Sequence, residues 1–497
     1  MAASFLAELA QHRCLLFLIV ILGFGGNLLV GFQVSVIAYP SQDVQAFLNA
    51  SWVRRFGVPL SPETLTLLWS FVVSVFCLGG LCGNLASGAL LHQCGKKKAL
   101  LWSDLLVILG AVLIGFSQMA DSGEMLLAGR FCYGVSAGIC MNTIGPYLAE
   151  SSPQRLRGFA ITASVVFFSL GKVLGQVLGL REVLGGPSRW PLLLSLNGAP
   201  ALVQLLLLPL FPETPPHLLL QNGDKEACLR AMRTLWGPNC GHRHEAQVEE
   251  ILREAEADAA DGKRKWGALE VLRAPALRRP LALALLLVLG LQLCGLSAIY
   301  FYAFDVFRTA RIQEGLIPFV TLGTGACEFL ASILCSTIID RFGRRILLWG
   351  GFLMMGLSMA LLILALFFQD RLPWLSYFCI AFIFLFVVFY AVGPAGATFA
   401  FMMEIFGRAV RPPALVILGT ILWFGLFLSG MGFPVLVESM GYFCFLIFLA
   451  VDAGIAAFVY FFFPETKGRS ITEITNELQG MNLGGKRAPG GSLCTKL

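Results

Sequence analysis

Charge is scarce in this chain. Of its 497 residues only 13% are Asp, Glu, Lys or Arg, while 57% are hydrophobic. A soluble domain carries about 25% charged residues, so roughly half of the usual solubilising surface is missing. That deficit excludes one water-soluble core and makes a lipid bilayer the natural solvent. Other absences narrow the field. No G-x-x-x-x-G-K-[ST] run occurs, so no phosphate-cradling loop supports ATP-driven work. The 14 cysteines form no CxxC pair and none falls in an expected outer loop, which excludes an exofacial disulfide framework. The five histidines make no catalytic grouping. Cys228, Cys240, His242 and His244 fit no zinc spacing, so no metal is expected. The net charge of +6 is accounted for by short basic loops, with no nucleic-acid partner.

What is abundant is apolar length. A bilayer core needs about 20 apolar residues per helix. Runs of that kind predict twelve spans, at 14–36, 67–92, 99–118, 125–149, 158–184, 190–211, 280–304, 315–339, 346–368, 373–402, 412–436 and 441–463. The first is too long for a signal peptide and reads as retained. The one large polar interruption, 212–279, contains "EEILREAEADAADGKRK", an amphipathic soluble helix. Lys and Arg concentrate at 94–98, 153–158, 340–345 and 407–412, all on one side of that topology together with both termini. The positive-inside tendency makes that side cytoplasmic. Asn49-Ala50-Ser51, the one glycosylation sequon, then falls outside.

The loops repeat. Phe-Pro-Glu-Thr occurs at 211–214 and at 463–466, with its prolines 464 − 212 = 252 residues apart. "GKK" at 95–97 matches "GRR" at 343–345, an offset of 343 − 95 = 248. Glu150 and Arg157 stand seven apart, as do Glu404 and Arg411, an offset of 404 − 150 = 254. Three features at nearly one offset predict two six-helix halves in tandem, 1–211 and 280–463, joined by an insert (212–279) and followed by a tail (464–497). Six helices per half preserve orientation, so the repeat is parallel. Lys96, Glu150, Arg157 and Glu213 in one half, with Arg344, Glu404, Arg411 and Glu465 in the other, are candidate cytoplasmic latches.

At this point the chain resembles the facilitative hexose transporters, the sugar-porter branch of the major facilitator superfamily, over about residues 14–475. The resemblance rests on "GRFCYGVSAG", "YLAESSPQRLRG", "FPET", "DRFGRR", "EIFGRAVRP" and "PETKGRS" in that order. The sequon and "GPAG" at 393–396 look most like that family's second class. It implies an all-α membrane protein of twelve spanning helices, alternating access, a plasma-membrane location and no cofactor. Implied site residues are Gln176, Gln292, Ser297, the aromatic stretch Tyr300-Phe301-Tyr302, and Trp423. Departures are Gln33 at the end of the first-helix motif, Phe399 where first-class members often hold Trp, Leu422 and Leu426 around Trp423, and Pro216 in place of an Arg. Proton coupling in this branch resembles an Asp where Gln33 stands, and Gln33 does not titrate.

Two charges sit at membrane depth. Lys172 is four residues before Gln176, hence on the same helix face, and Glu328 lies in the eighth span. An ionisable group there costs at least about 2.5 kcal/mol on insertion scales and marks a site by default. The two could pair with one another, bind hydroxyls, or let Lys172 attract an anion. Asp104 reads as interfacial, and Asp452 has no assigned role. The leading expectation is hexose uniport with no enzymatic chemistry. The alternatives are uniport of a small organic anion and a non-transporting membrane sensor.

Overall fold

The computed structural model describes residues 12–466 except 154–155, 238–244, 246–247, 250, 254–266, 373 and 407–409. All regular structure among the described residues is helical. In chain order the elements are α1 (Arg13–Val36), α2 (Ser41–Phe56), α3 (Pro62–Cys94), α4 (Lys96–Ser117), α5 (Gly123–Ser151), α6 (Arg157–Leu178) and α7 (Trp190–Leu210). Among the described residues that follow are the helices α8 (Pro215–Leu220), α9 (Lys225–Trp236) and α10 (Ala268–Arg273). The second half of the chain has α11 (Arg278–Phe301), α12 (Ala303–Thr309), α13 (Ile317–Phe342), α14 (Arg344–Phe368), α15 (Leu375–Ile405), α16 (Arg411–Met440) and α17 (Phe445–Phe462).

Among the described residues, nine helical stretches are long and apolar enough to cross a bilayer. One of the nine, Arg411–Phe462, is two helices (α16 and α17) separated by a single 3-10 turn at Gly441–Cys444. The helices α5 and α6 are long as well but fall outside that set. Lipid-facing stripes are legible in the exposure pattern. Leu105, Leu109, Val112 and Phe116 are exposed along α4, and Leu353, Leu357, Leu361 and Leu364 along α14. Spacings of three and four put each set on one helix face, where hydrocarbon rather than water is the matching solvent. The opposite faces enter a core that runs from Leu28 to Phe463 and takes side chains from both halves of the chain.

Among the described residues, two helices carry π turns. One spans Gly23–Asn27 in α1, and the other spans Ala391–Ala395 in α15, where Pro394 lacks an N–H to continue the ladder. The stretch between the first two spans, expected only as a loop, contains the helix α2. Its Arg54 pairs with Asp121 at 2.5 Å and its Arg55 with Glu124 at 2.6 Å, fastening it to the α4–α5 turn. Bonds from Arg55 and Ser122 hold Glu124 down at about 2.

The repeated loop residues cap helices across the chain. Glu213 accepts from Lys97 N at 3.0 and 3.2 Å, closing the N-terminus of α4. Glu465 accepts from Arg344 N at 3.0 Å and Arg345 N at 3.1 Å, closing the N-terminus of α14. A carboxylate suits such an end because the first N–H groups of a helix lack internal partners. In return, Lys97 Nζ donates to the carbonyls of Pro209 and Phe211 at 2.8 and 2.6 Å, and Arg345 donates to Tyr460 O at 2.5 Å. Gly95 (φ 82°) and Gly343 (φ 84°) turn the chain into these helices. A Cβ at either would stand 2.7 Å from the capping carboxylate. Phe-Pro-Glu-Thr therefore recurs because each copy supplies a long-range helix cap.

Candidate functional site

The two halves of the chain meet along two seams, α6 against α13 and α3 against α16. At the first seam Lys172 Nζ donates to both oxygens of Glu328, at 2.7 and 3.0 Å, with both residues buried. The Tyr300 hydroxyl donates to the same carboxylate. The Lys172 ammonium also stands 4.2 Å from the Tyr300 ring centroid and 5.0 Å from that of Phe168. Helix α6 brings Lys172 and Phe168 to this point on one face, four residues apart. The group is neutral in sum, and each charge is both paired and hydrogen-bonded, which is what burial requires.

One turn along α6, Gln176 is fully buried and its amide donates to Thr324 Oγ1 at 3.5 Å. Its Oε1 has no partner among the described residues. Gln292 on α11 is buried with its Oε1 in the same condition. Trp423 on α16 packs edge-on to Phe76 at 5.7 Å and presses onto Gly80, where a Cβ would lie 2.2 Å from the indole. Ser297 is buried, and Tyr302 donates to Gly430 O at 2.5 Å. Phe399 stands apart, 41% exposed. Gln33 is committed within the first half: its Nε2 donates to Leu194 O at 3.4 Å and its Oε1 accepts from Arg130 at 3.2 Å.

At the loop ends of the helices, Lys96 pairs with Glu150 at 2.8 Å and Arg344 with Glu404 at 2.7 Å, equivalent pairs in the two repeats. Thr466 donates to Glu404 at 2.7 Å, and Arg411 donates to Phe406 O at 3.1 Å. The side chain of Arg157, the residues Cys240, His242 and His244, and the tail from 467 lie outside the described residues. On α2, Asn49 accepts from Leu60 N at 3.0 Å, and Ser51 of the same sequon donates to Asp121 O at 2.9 Å.

Sequence reasoning passed over three polar residues inside the bundle, Asn84 and Arg130 buried and Asn142 half-buried. Asn84 on α3 donates to Val416 O at 2.9 Å and Thr420 Oγ1 at 3.0 Å, joining the second seam. Asn142 on α5 donates to Asn84 Oδ1 and to Ser87 Oγ, each at 2.8 Å. Arg130, inside the quoted "GRFCYG", is the third. The rule that singled out Lys172 applies to it equally.

Comparison with known proteins matches this architecture. The family described as "Sugar (and other) transporter" matches residues 18–478. The chain belongs to that family. The human "Solute carrier family 2, facilitated glucose transporter member 11" is 41% identical over 477 residues, covering 96% of this chain and 95% of the relative. Human member 9 of the same series is 38% identical, with 92% of this chain and 84% of the relative covered. These matches make the chain a member of the facilitative hexose transporter family, in the sugar-porter branch, and a multi-pass membrane protein. Among solved structures it is similar to the proton:xylose symporter XylE bound to 6-bromo-6-deoxy-D-glucose, with TM-score 0.76 at 21% identity, covering 94% of this chain and 99% of that one. An inward-open XylE from E. coli gives TM-score 0.74 at 21% identity, covering 93% and 99%. That likeness establishes the major facilitator fold.

Proposed function

We propose that this family member is a hexose uniporter of the plasma membrane, working by alternating access and catalysing no covalent chemistry. The observation that carries the reading is the pair of buried amide oxygens, Gln176 Oε1 and Gln292 Oε1, without partners among the described residues. A buried acceptor left unpaired costs about 1–3 kcal/mol, and sugar hydroxyls are donors that remove that cost. Trp423 supplies the aromatic surface a sugar ring needs, with Ser297 on α11, which packs against α16, and Tyr302 directly after it. The Lys172–Glu328 pair leaves its seam neutral, which suits an uncharged solute better than an organic anion. Gln33 is an amide and carries no titrating proton, which favours uniport. The human relatives' name, facilitated glucose transporter, points the same way.

In this reading the chain crosses the bilayer twelve times, with 1–211 and 280–463 as rocking halves, 212–279 a cytoplasmic insert and 464–497 a cytoplasmic tail. Lys96–Glu150 and Arg344–Glu404, backed by the Glu213 and Glu465 caps and by Arg157 and Arg411, latch the inner side shut. Asn49 faces outward and carries glycan. The test is counterflow in liposomes holding the purified protein. Unlabelled hexose inside should accelerate entry of labelled glucose or fructose, with no dependence on an imposed pH gradient. Accumulation driven by that gradient would replace uniport by proton coupling, and absence of exchange for every hexose tried would remove the substrate assignment.

A further inference from the structure

The helix α2 carries an apolar face that the described residues leave uncovered. Its inward residues Val44, Phe47, Leu48 and Ser51 are buried, and Arg54 and Arg55 reach the α4–α5 turn. On the other side Trp52 and Phe56 are 38% and 60% exposed, with ring centroids 4.3 Å apart at an interplanar angle of 37°. Val53 is exposed as well, and so is Val58, which follows the left-handed turn at Gly57 (φ 77°). Paired aromatic rings on a largely polar helix are a costly surface to leave in water. Exposed apolar patches of this kind mark a contact.

The sequon stands on this same face. Asn49, Trp52, Val53 and Phe56 follow the i, i+3, i+4, i+7 spacing that lines one side of a helix. Side chains on a helix lean toward its N-terminus, which brings the Trp52 indole back toward the turn that carries Asn49. Asn49 is half-buried, and its Oδ1 accepts from Leu60 N at 3.0 Å, which sets the amide. Nδ2, the atom to which a glycan is joined, is uncommitted among the described residues.

We propose that the Trp52–Phe56 pair is the seat of the Asn49 glycan, an assignment that rests on the outward, glycan-bearing Asn49 of the proposed topology. The first N-acetylglucosamine stacks on the rings. One face of a pyranose presents C–H groups, and these are attracted to the electron-rich face of an aromatic ring. The hydroxyl and acetamido groups stay in water at its edge. Attachment at Asn49 holds the sugar at high effective concentration over the rings. A protein partner or a lipid surface would have to displace a glycan rooted in the same face.

The experiment uses the full-length protein from one glycosylating host, grown with and without an inhibitor of N-glycosylation, so that the sugar changes while the sequence does not. Mass measurement reports whether Asn49 is occupied. Thermal unfolding in detergent and acrylamide quenching of tryptophan report whether the sugar is seated. The parent should melt a few degrees higher with glycan than without, and the glycan should shield Trp52, read as the quenching difference from Trp52→Phe. Trimming to the first sugar with an endoglycosidase should keep most of the gain. In Trp52→Ser/Phe56→Ser the melting point should be the same with and without glycan. Equal melting of the two parent forms with Asn49 occupied, or the same gain persisting in the double variant, would overturn the seat and leave the glycosylated topology standing. A bare Asn49 from the uninhibited host would overturn the glycan and the seat together.

Discussion

Lys172 and Arg130 are both cations buried among membrane-spanning helices of the first half of the chain, and their surroundings differ in kind. Lys172 meets a carboxylate from the other half, at 2.7 Å, so its charge is cancelled across the seam between the halves. Arg130 meets only carbonyl and amide oxygens from its own half. One cation is therefore tied to the other half of the chain, while the other is held within its own bundle. A buried ion pair that spans a seam can report or control opening. A buried cation held within one half by carbonyl and amide oxygens has no such link to the other half.

The largest effects should come from breaking the spanning pair. Lys172→Met or Glu328→Gln removes one partner; Lys172→Met leaves Glu328 buried and unpaired, a loss of about 3–5 kcal/mol. Thermal unfolding should show it, and the double variant Lys172→Met/Glu328→Gln should recover part of the loss. If the double variant is as unstable as the sum of the singles, the two charges are not acting on each other. Arg130→Gln should cost less, about 1–3 kcal/mol for its hydrogen bonds, because it removes an unbalanced charge. A loss in Arg130→Gln matching Lys172→Met would mean that Arg130 has an acid partner and would erase the contrast.

Smaller effects belong to the Lys96–Glu150 and Arg344–Glu404 pairs. Glu404→Gln should weaken the Arg344 pair and the Thr466 bond without unfolding the chain, shifting the balance toward inward-open. Labelling of single cysteines placed on the two sides would register the shift, and unchanged labelling would remove the latch role. The smallest expected changes are in affinity. Gln176→Leu and Gln292→Leu should each raise the half-saturating hexose concentration by about 2- to 12-fold, the equivalent of about 0.5–1.5 kcal/mol per hydrogen bond. Unchanged affinity in both would place the substrate elsewhere.

How much of this was legible beforehand depends on range. The apolar runs announce helices because spanning length is a local property. The paired offsets near 250 residues announced a repeat, and the charges it singled out, Lys96 with Glu150 and Arg344 with Glu404, are in contact. What each Phe-Pro-Glu-Thr does was not legible. Glu213 caps a helix 116 residues earlier, and nothing near it in sequence indicates that partner. The helix α2 was missed because its pattern is weakly amphipathic and its fastening runs through Asp121 and Glu124 of a distant turn. Lys172 and Glu328 could be flagged singly, yet their pairing depends on the seam between α6 and α13. Asn84 and Asn142 carry no charge and so raised no flag, although together they join α5 through α3 to α16.

The most direct test of the account is electrical. In liposomes holding the purified protein, with chloride equal on both sides, initial hexose uptake should be saturable and indifferent to an imposed potential. A carried monoanion would instead be biased by about 2.3 kcal/mol per 100 mV. Voltage-independent hexose flux, blunted by Lys172→Met and partly restored in Lys172→Met/Glu328→Gln, is the predicted result. Voltage-dependent monoanion flux with no hexose flux in the same liposomes would contradict it.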